Sequence, residues 1–170
     1  MRMLGVAPEL MIQLAAALFI LPFFLFSATA GQLCEKYDKA VIARLVKQME
    51  IAIMLVAALG FWLHNGVILM STILLMGIHS TLFGPLKFSV LPQYLKPQEL
   101  VGGNGLIEMG TFVSIILGQV AGTVLVAADD SRITLIAALL ACALAGYASA
   151  RAMPPAPPAA PCASGAPELA

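Results

Sequence analysis

Five long apolar segments separated by short polar connections make up most of the chain. They cover approximately residues 10–34, 41–63, 67–88, 104–127 and 133–149. Each comes close to the ~20 residues with which an α-helix crosses the hydrocarbon of a bilayer. The pattern therefore predicts an all-α integral membrane protein with about five transmembrane helices. Residues 1–9 form an N-terminal flank, residues 10–153 the membrane domain, and the Pro/Ala-rich residues 154–170 a disordered tail or linker.

Two of these segments carry polar residues at membrane depth. In the third, one helical stripe is expected to face a cavity; it consists of Thr72, Met76, His79, Ser80, Phe83 and Lys87. The fourth has a corresponding stripe, polar at one end and small farther in, made of Asn104, Glu108, Thr111, Ile115, Gly118 and Gly122. Polar groups inside a membrane are costly, so these stripes are candidate functional sites. Gly118 and Gly122 form a GxxxG pair and are expected to permit close helix packing.

Two local features modify this picture. Gly84 and Pro85 are expected to interrupt the third helix just before Lys87, because proline lacks a backbone N–H. In the second segment Glu50 follows Lys47 by three residues, which predicts an ion pair within that helix.

Basic residues predict the orientation. Lys36, Lys39, Arg44 and Lys47 cluster around the first connection, which places it in the cytoplasm, and Arg151 indicates a cytoplasmic C-terminus. Five spans then leave the N-terminus outside, and one further helix before residue 1 would bring both ends inside. Because transporters are commonly built from three-helix repeats, we expect a six-helix half that lacks its first helix. A cleaved signal peptide is the alternative for the first segment. Its apolar part is longer than that of a usual signal peptide.

Composition agrees with a membrane protein and excludes other classes. The chain is 61% hydrophobic and 11% charged, with a mean hydropathy of +0.96. A net charge of zero gives no sign of the basic surface that nucleic-acid-binding proteins carry. Cys34, Cys142 and Cys162 lack paired spacing, and the two histidines and dispersed acids predict no metal site or other cofactor. No residues show nucleophile–base spacing, so we expect no catalytic residues and no enzyme.

Three motifs resemble a known family. GQLCEKYDKA at 31–40 resembles the cytoplasmic loop between helices 2 and 3 of the major facilitator superfamily. Together with HSTLFGPLKFSVLPQYL at 79–95 and ELVGGNGLIEMGTFVSIILGQVAGT at 99–123, it is similar to the lysophospholipid transporter branch, which includes forms fused to an acyltransferase and acyl-ligase. The likeness extends from about Leu18 to Gly122. Glu35 stands where the superfamily usually has Asp, and Asp38 where it usually has Gly.

The resemblance implies a bundle corresponding to family helices 2 to 6, without the second six-helix half. It also implies transfer of lysophospholipid, chiefly lysophosphatidylethanolamine, from the outer to the inner leaflet of a bacterial inner membrane for reacylation. The implied partners are the lysophospholipid, membrane lipid and an acyltransferase or second transporter half.

Site roles follow from the same resemblance. Lys87 would hold the lipid phosphate, or else snorkel to the interface. Glu108 would pair with Lys87 in the empty cavity and attract the ethanolamine ammonium in the filled one, or else be a structural partner alone. His79, Asn104 and Thr111 complete the substrate site, with a polar contact inside the bundle as the alternative for His79. The expected gating loop consists of Gly31, Glu35, Lys36, Asp38 and Lys39, with solvated loop charges as the alternative.

Two other functions remain open: a general small-molecule transporter of the same superfamily, and a nonfunctional or accessory membrane fragment. A drug–proton exporter is expected to carry a Gly-Pro pair in the helix corresponding to 110–126, and this sequence has none there.

Overall fold

The computed structural model describes residues 7–127 and 132–157. Five long helices account for most of these residues, and no strand occurs among them, which confirms the predicted all-α fold. Most of the predicted N-terminal flank, and residues 158–170 of the predicted tail, fall outside the described residues.

The elements follow one another in a simple order. We label them α1 (Pro8–Lys36), α2 (Lys39–Trp62), α3 (Gly66–Ser89), the short α4 (Leu91–Tyr94), α5 (Leu100–Ala127) and α6 (Arg132–Arg151), with a 3₁₀ turn at Pro97–Glu99 before α5. In length and apolarity α1, α3, α5 and α6 are suited to cross a membrane. The chain is therefore a multi-pass membrane protein. The fifth long helix, α2, carries Lys47 and Glu50 in its middle and packs between α3 and α6.

Polar side chains fix the starts of α2 and α3. Asp38 precedes α2 and accepts hydrogen bonds from Ala40 N and Val41 N at 2.8 and 3.4 Å. Asn65 precedes α3 and accepts from Val67 N and Ile68 N at 2.9 and 3.3 Å. Such caps satisfy N–H groups that have no partner inside the helix.

The first connection is shorter than residues 35–40, which the sequence leaves between the first two apolar segments. Helix α1 continues through Gly31 to Lys36, so only Tyr37 and Asp38 lie between α1 and α2. Similarly, α5 begins at Leu100, and its glycine-rich start is helical.

The predicted interruption of α3 is wrong. The helix runs through Gly84 and Pro85 and ends at Ser89. Proline removes one backbone hydrogen bond, but the neighbouring turns of a long apolar helix keep its course.

α3 is central to the packing, since it lies against both α1 and α2. α1 passes close to the buried Gly77 of α3, where a Cβ would overlap the carbonyl oxygen of Phe19 and lie 3.1 Å from Pro22 Cγ. A buried cluster joins α1, α2 and α3 near one end of the bundle; its members are Cys34, Ile42, Ala43, Val46 and Leu86. A second cluster joins α2 to α6 through Ile53, Met54 and Ala143.

α5 is packed differently from the other long helices. None of its residues is buried, and its close backbone contacts are mainly with α6 and with the connection that precedes it. Its apolar side chains, such as Leu106, Phe112 and Leu117, are exposed. In a membrane protein such a surface faces lipid or another helix.

Candidate functional site

Lys87 and Glu108 meet between α3 and α5. Lys87 Nζ donates to Glu108 Oε1 at 2.9 Å and to Thr111 Oγ1 at 3.2 Å. Thr111 in turn donates to the carbonyl of Ile107 at 2.8 Å, one turn earlier in α5. The structure thus brings together three of the five substrate-site residues predicted from the sequence.

The two partners differ in exposure, which matters for what they can bind. The side chain of Lys87 is 19% exposed and that of Glu108 is 42% exposed. An ammonium has three N–H donors, and these two contacts use two of them. One donor of Lys87 therefore remains for an anion, and the carboxylate of Glu108 stays accessible to a cation.

Asn104 lies one turn before Glu108 on α5 and is exposed. Residues four apart share a helix face, so its amide lies on the same side of α5 as the carboxylate. An amide carries both donors and an acceptor, and that of Asn104 makes no side-chain hydrogen bond within the described residues.

His79 lies in a different cluster. It is buried in α3, with its Nε2 3.5 Å from Glu50 Oε2 of α2 and its ring stacked on Phe83 at 6.0 Å between centroids. Neither ring nitrogen has a hydrogen-bond partner among the described residues. The carboxylate of Glu50 accepts a 2.7 Å hydrogen bond from Lys47, the intrahelical pair expected from the sequence.

Lys47 ties this second cluster to α6. Its Nζ lies 4.7 Å from the centre of the Phe83 ring, and a Cβ on Gly146 would lie 3.1 Å from the same Nζ. The interhelical contact between Glu50 and His79 was not predicted from the sequence. Helical periodicity predicted that His79 lies in a polar stripe on α3. It could not predict that Glu50 of α2 faces this stripe, because the periodicity of one helix does not show how a neighbouring helix is oriented.

The five residues of the expected gating loop separate into two groups. Gly31, Glu35 and Lys36 belong to the last turns of α1, and Glu35 and Lys36 are exposed. Asp38 caps α2, and Lys39 is buried at its first position.

The pKa of Asp38 is lowered from its ordinary value of 3.8. Desolvation opposes this shift, but hydrogen bonds from the backbone N–H groups of Ala40, Ala156 and Val41, together with the charge of Arg44, outweigh it. Asp38 is therefore a stable negative charge at the junction of α1 and α2.

Gly118 and Gly122 make no close helix contact in the described chain. A Cβ built on either would have no other atom within 4 Å. Their role in helix packing stays a prediction. No group of three or more His, Cys, Asp or Glu side chains suited to a metal ion occurs within residues 7–127 and 132–157.

The chain is similar to curated bacterial transporters over most of its length. It is 34% identical over 132 residues to the lysophospholipid transporter LplT of Salmonella newport (strain SL254), and 35% identical over 132 residues to that of Salmonella heidelberg (strain SL476). This chain is a homologue of lysophospholipid transporters. The resemblance to that branch of the major facilitator superfamily is confirmed. The relatives' names favour the non-enzymatic function expected from the sequence.

The match covers 78% of this chain but only 30% of each of these two relatives. The chain thus spans about a third of the length of the curated lysophospholipid transporters it matches. No protein-family model matches it, and no solved structure matches it significantly.

Proposed function

We propose that the protein containing this chain moves lysophospholipid, chiefly lysophosphatidylethanolamine, from the outer to the inner leaflet of a bacterial inner membrane. The observation that carries the proposal is the ion pair of Lys87 and Glu108, with one cation and one accessible carboxylate side by side between two apolar helices. The names of the homologous transporters support the class of substrate.

The headgroup of lysophosphatidylethanolamine carries the complementary pair of charges. Its phosphate would accept hydrogen bonds from Lys87, and its ammonium would donate to Glu108, the more exposed partner. The ion pair between Lys87 and Glu108 would then be replaced by two new pairs, Lys87 with the phosphate and Glu108 with the ammonium. Such an exchange leaves neither charge unpaired in a region of low polarity, where an unpaired charge is costly.

Thr111 and Asn104 would assist this exchange. Thr111 holds the ammonium of Lys87 through its hydroxyl oxygen and would keep it oriented as Glu108 turns to the lipid. Asn104 would hydrogen-bond the phosphate or the glycerol hydroxyl from the adjacent turn of α5. His79 would act indirectly, by fixing α3 against Glu50 of α2.

The charges around the turn between α1 and α2 would serve as a latch. Glu35 and Lys36 are exposed at the end of α1 and free to contact a second transporter half in one conformational state. This turn and the C-terminal end of α6 would face the cytoplasm. An acyltransferase that reacylates the lipid there would consume the transported substrate.

Reconstituted vesicles test the proposal. The longest natural polypeptide that contains these residues is placed in phosphatidylcholine vesicles with fluorescent lysophosphatidylethanolamine in the outer leaflet. Transfer is read as the fraction of label that albumin no longer extracts, with empty vesicles as the control. We expect protein-dependent transfer of the lysolipid.

The alternative functions give different results in the same vesicles. Transport of an unrelated soluble compound without transfer of lysolipid would identify a general transporter of the superfamily and refute the lipid assignment. Absence of any transport would identify an accessory membrane fragment. The mass of the native polypeptide shows whether the assay contained a complete transporter.

A further inference from the structure

Residues Met153–Pro157, which follow α6, dock against the bundle instead of extending away from it; we call this segment the strap. Its backbone makes hydrogen bonds with residues of two other parts of the chain. The carbonyl of Ala156 accepts from Lys39 N at 2.9 Å, and the N–H of Ala156 donates to Asp38 Oδ1 at 3.3 Å. Ala156 is only 2% exposed, so the strap fits closely at this point.

Asp38 performs two tasks with one oxygen. Its Oδ1 accepts from Ala40 N at 2.8 Å, as the cap of α2, and from Ala156 N of the strap. Lys39 N is the first N–H of α2 and has no acceptor within its own helix, because the first turn of any helix leaves such groups unpaired. The carbonyl of Ala156 supplies the missing acceptor for Lys39 N.

The second attachment lies on the connection between α3 and α5. Tyr94 Oη donates to the carbonyl of Pro154 at 2.8 Å, and Gln93 Nε2 donates to the carbonyl of Pro157 at 2.8 Å. The strap therefore touches the α1–α2 turn and α4 at once. The side chain of Met153 packs against the buried cluster that contains Leu86, the residue next to Lys87.

We propose that the strap is a reversible clamp between these two connections, and that its docking site recognises a proline-rich backbone. A fifth bond from elsewhere in the bundle comes from Arg44 of α2, whose Nη2 donates to the carbonyl of Met153 at 3.4 Å. These five hydrogen bonds use backbone atoms of the strap, and four of them use its carbonyls. A proline-rich segment loses little conformational entropy on docking, so a few such bonds suffice to hold it. Tyr94 and Gln93 are exposed, which makes their bonds easy to exchange for water.

The clamp restrains the end of α3. α3 leads directly into α4, and Leu86 near its end packs against Cys34 and Ile42 on either side of the α1–α2 turn, so this end contacts both parts that the strap holds together. With the strap docked, α4 cannot separate from the α1–α2 turn without breaking hydrogen bonds at one of its two attachments. The clamp acts on movement at this end of the bundle, whichever solute is transported.

Hydrogen–deuterium exchange at single-residue resolution, on the full chain in lipid nanodiscs, tests the clamp. In the wild type, Lys39 N–H is expected to be protected. Ala156→Trp cannot fit the buried position, so it should speed exchange at Lys39 roughly tenfold or more and also raise exchange across 91–95. Ala152→Trp is the matched control, since Ala152 is exposed just before the strap, and it should change neither region.

Tyr94→Phe provides a milder variant that retains the ring. Loss of its bond to Pro154 should speed exchange at Lys39, at the other attachment, by about two- to fivefold. An unprotected Lys39 amide in the wild type would overturn the proposal. So would loss of protection at Lys39 in Ala156→Trp with no change across 91–95, or a Tyr94→Phe protein in which Lys39 exchanges as in the wild type.

Discussion

His79 and Glu50 face each other across the interface of α3 and α2, with 3.5 Å between Nε2 and Oε2. Because Lys47 also contacts this carboxylate, one acid of α2 is shared by a cation of its own helix and an imidazole of the next. Glu50 is therefore a structural centre of the bundle, separate from the Lys87–Glu108 pair.

Removing the charge of Glu50 should destabilise the protein. In Glu50→Gln the ammonium of Lys47, only 18% exposed, would lose its anionic partner, at a cost of roughly 2–4 kcal/mol. The midpoint of thermal unfolding in detergent should fall accordingly. Glu35→Gln is the control, because Glu35 is exposed and its loss should leave the midpoint nearly unchanged. Equal midpoints for both variants would show that Glu50 contributes little to the bundle.

Lys87→Ala should impair lysolipid transfer much more than Lys96→Ala. Lys87 is partly buried beside Glu108, whereas Lys96 is exposed before the 3₁₀ turn. Loss of a charge-assisted hydrogen bond to phosphate should lower the initial rate of transfer roughly tenfold or more, and loss of a surface charge by less than about twofold. The vesicle assay measures both rates at matched protein content. Equal, small losses would remove Lys87 from the substrate site.

Glu108→Gln should change headgroup selectivity. The neutral amide attracts the ethanolamine ammonium less than the carboxylate does, so transfer of lysophosphatidylethanolamine should fall about fivefold relative to lysophosphatidylglycerol, which has no ammonium. Competition between the two labelled lipids gives the ratio in one experiment. If the rates of transfer of both lipids fall equally, Glu108 only positions Lys87 and does not contact the headgroup.

Gly77→Ala should weaken the contact between α1 and α3. Its Cβ would overlap the backbone of Phe19, which cannot move aside as a flexible side chain would, and such overpacking typically costs about 1–3 kcal/mol. Gly84→Ala in the same helix is the matched control, since a Cβ there has no atom within 4 Å. Thermal unfolding should separate the two variants, and a Gly77→Ala protein as stable as Gly84→Ala would contradict this packing.

Asp38 should make stability depend on acid pH. Its folded-state pKa lies below the ordinary 3.8, so the carboxylate stabilises the fold above that value. This contribution is lost as the pH falls from about 5 through the folded-state pKa. The wild type should consequently lose more thermal stability than Asp38→Asn over this range. Parallel pH profiles of the two proteins would refute the linkage.

Elements and contacts were not equally predictable from the sequence. Hydropathy located all five long helices, since each is longer than any polar connection and apolar on most sides. The pair of Lys87 and Glu108 was expected from the family resemblance, and it agrees with the cost of leaving a charge unpaired at membrane depth. The contact of His79 with Glu50 was not expected, because a polar stripe on one helix does not show which neighbouring helix it faces. Docking of the strap was also missed, since it depends on backbone hydrogen bonds that proline-rich composition does not encode.

The sparse packing of α5 has a mechanical consequence. With no buried residue of its own, α5 is held to α3 by the hydrogen bonds that Lys87 makes to Glu108 and Thr111. If an anion took the ammonium of Lys87 away from Glu108 and Thr111, α5 would lose these hydrogen bonds to α3 while keeping its contacts with α6 and with the connection that precedes it. Binding of an anion at Lys87 would thus loosen α5 from α3.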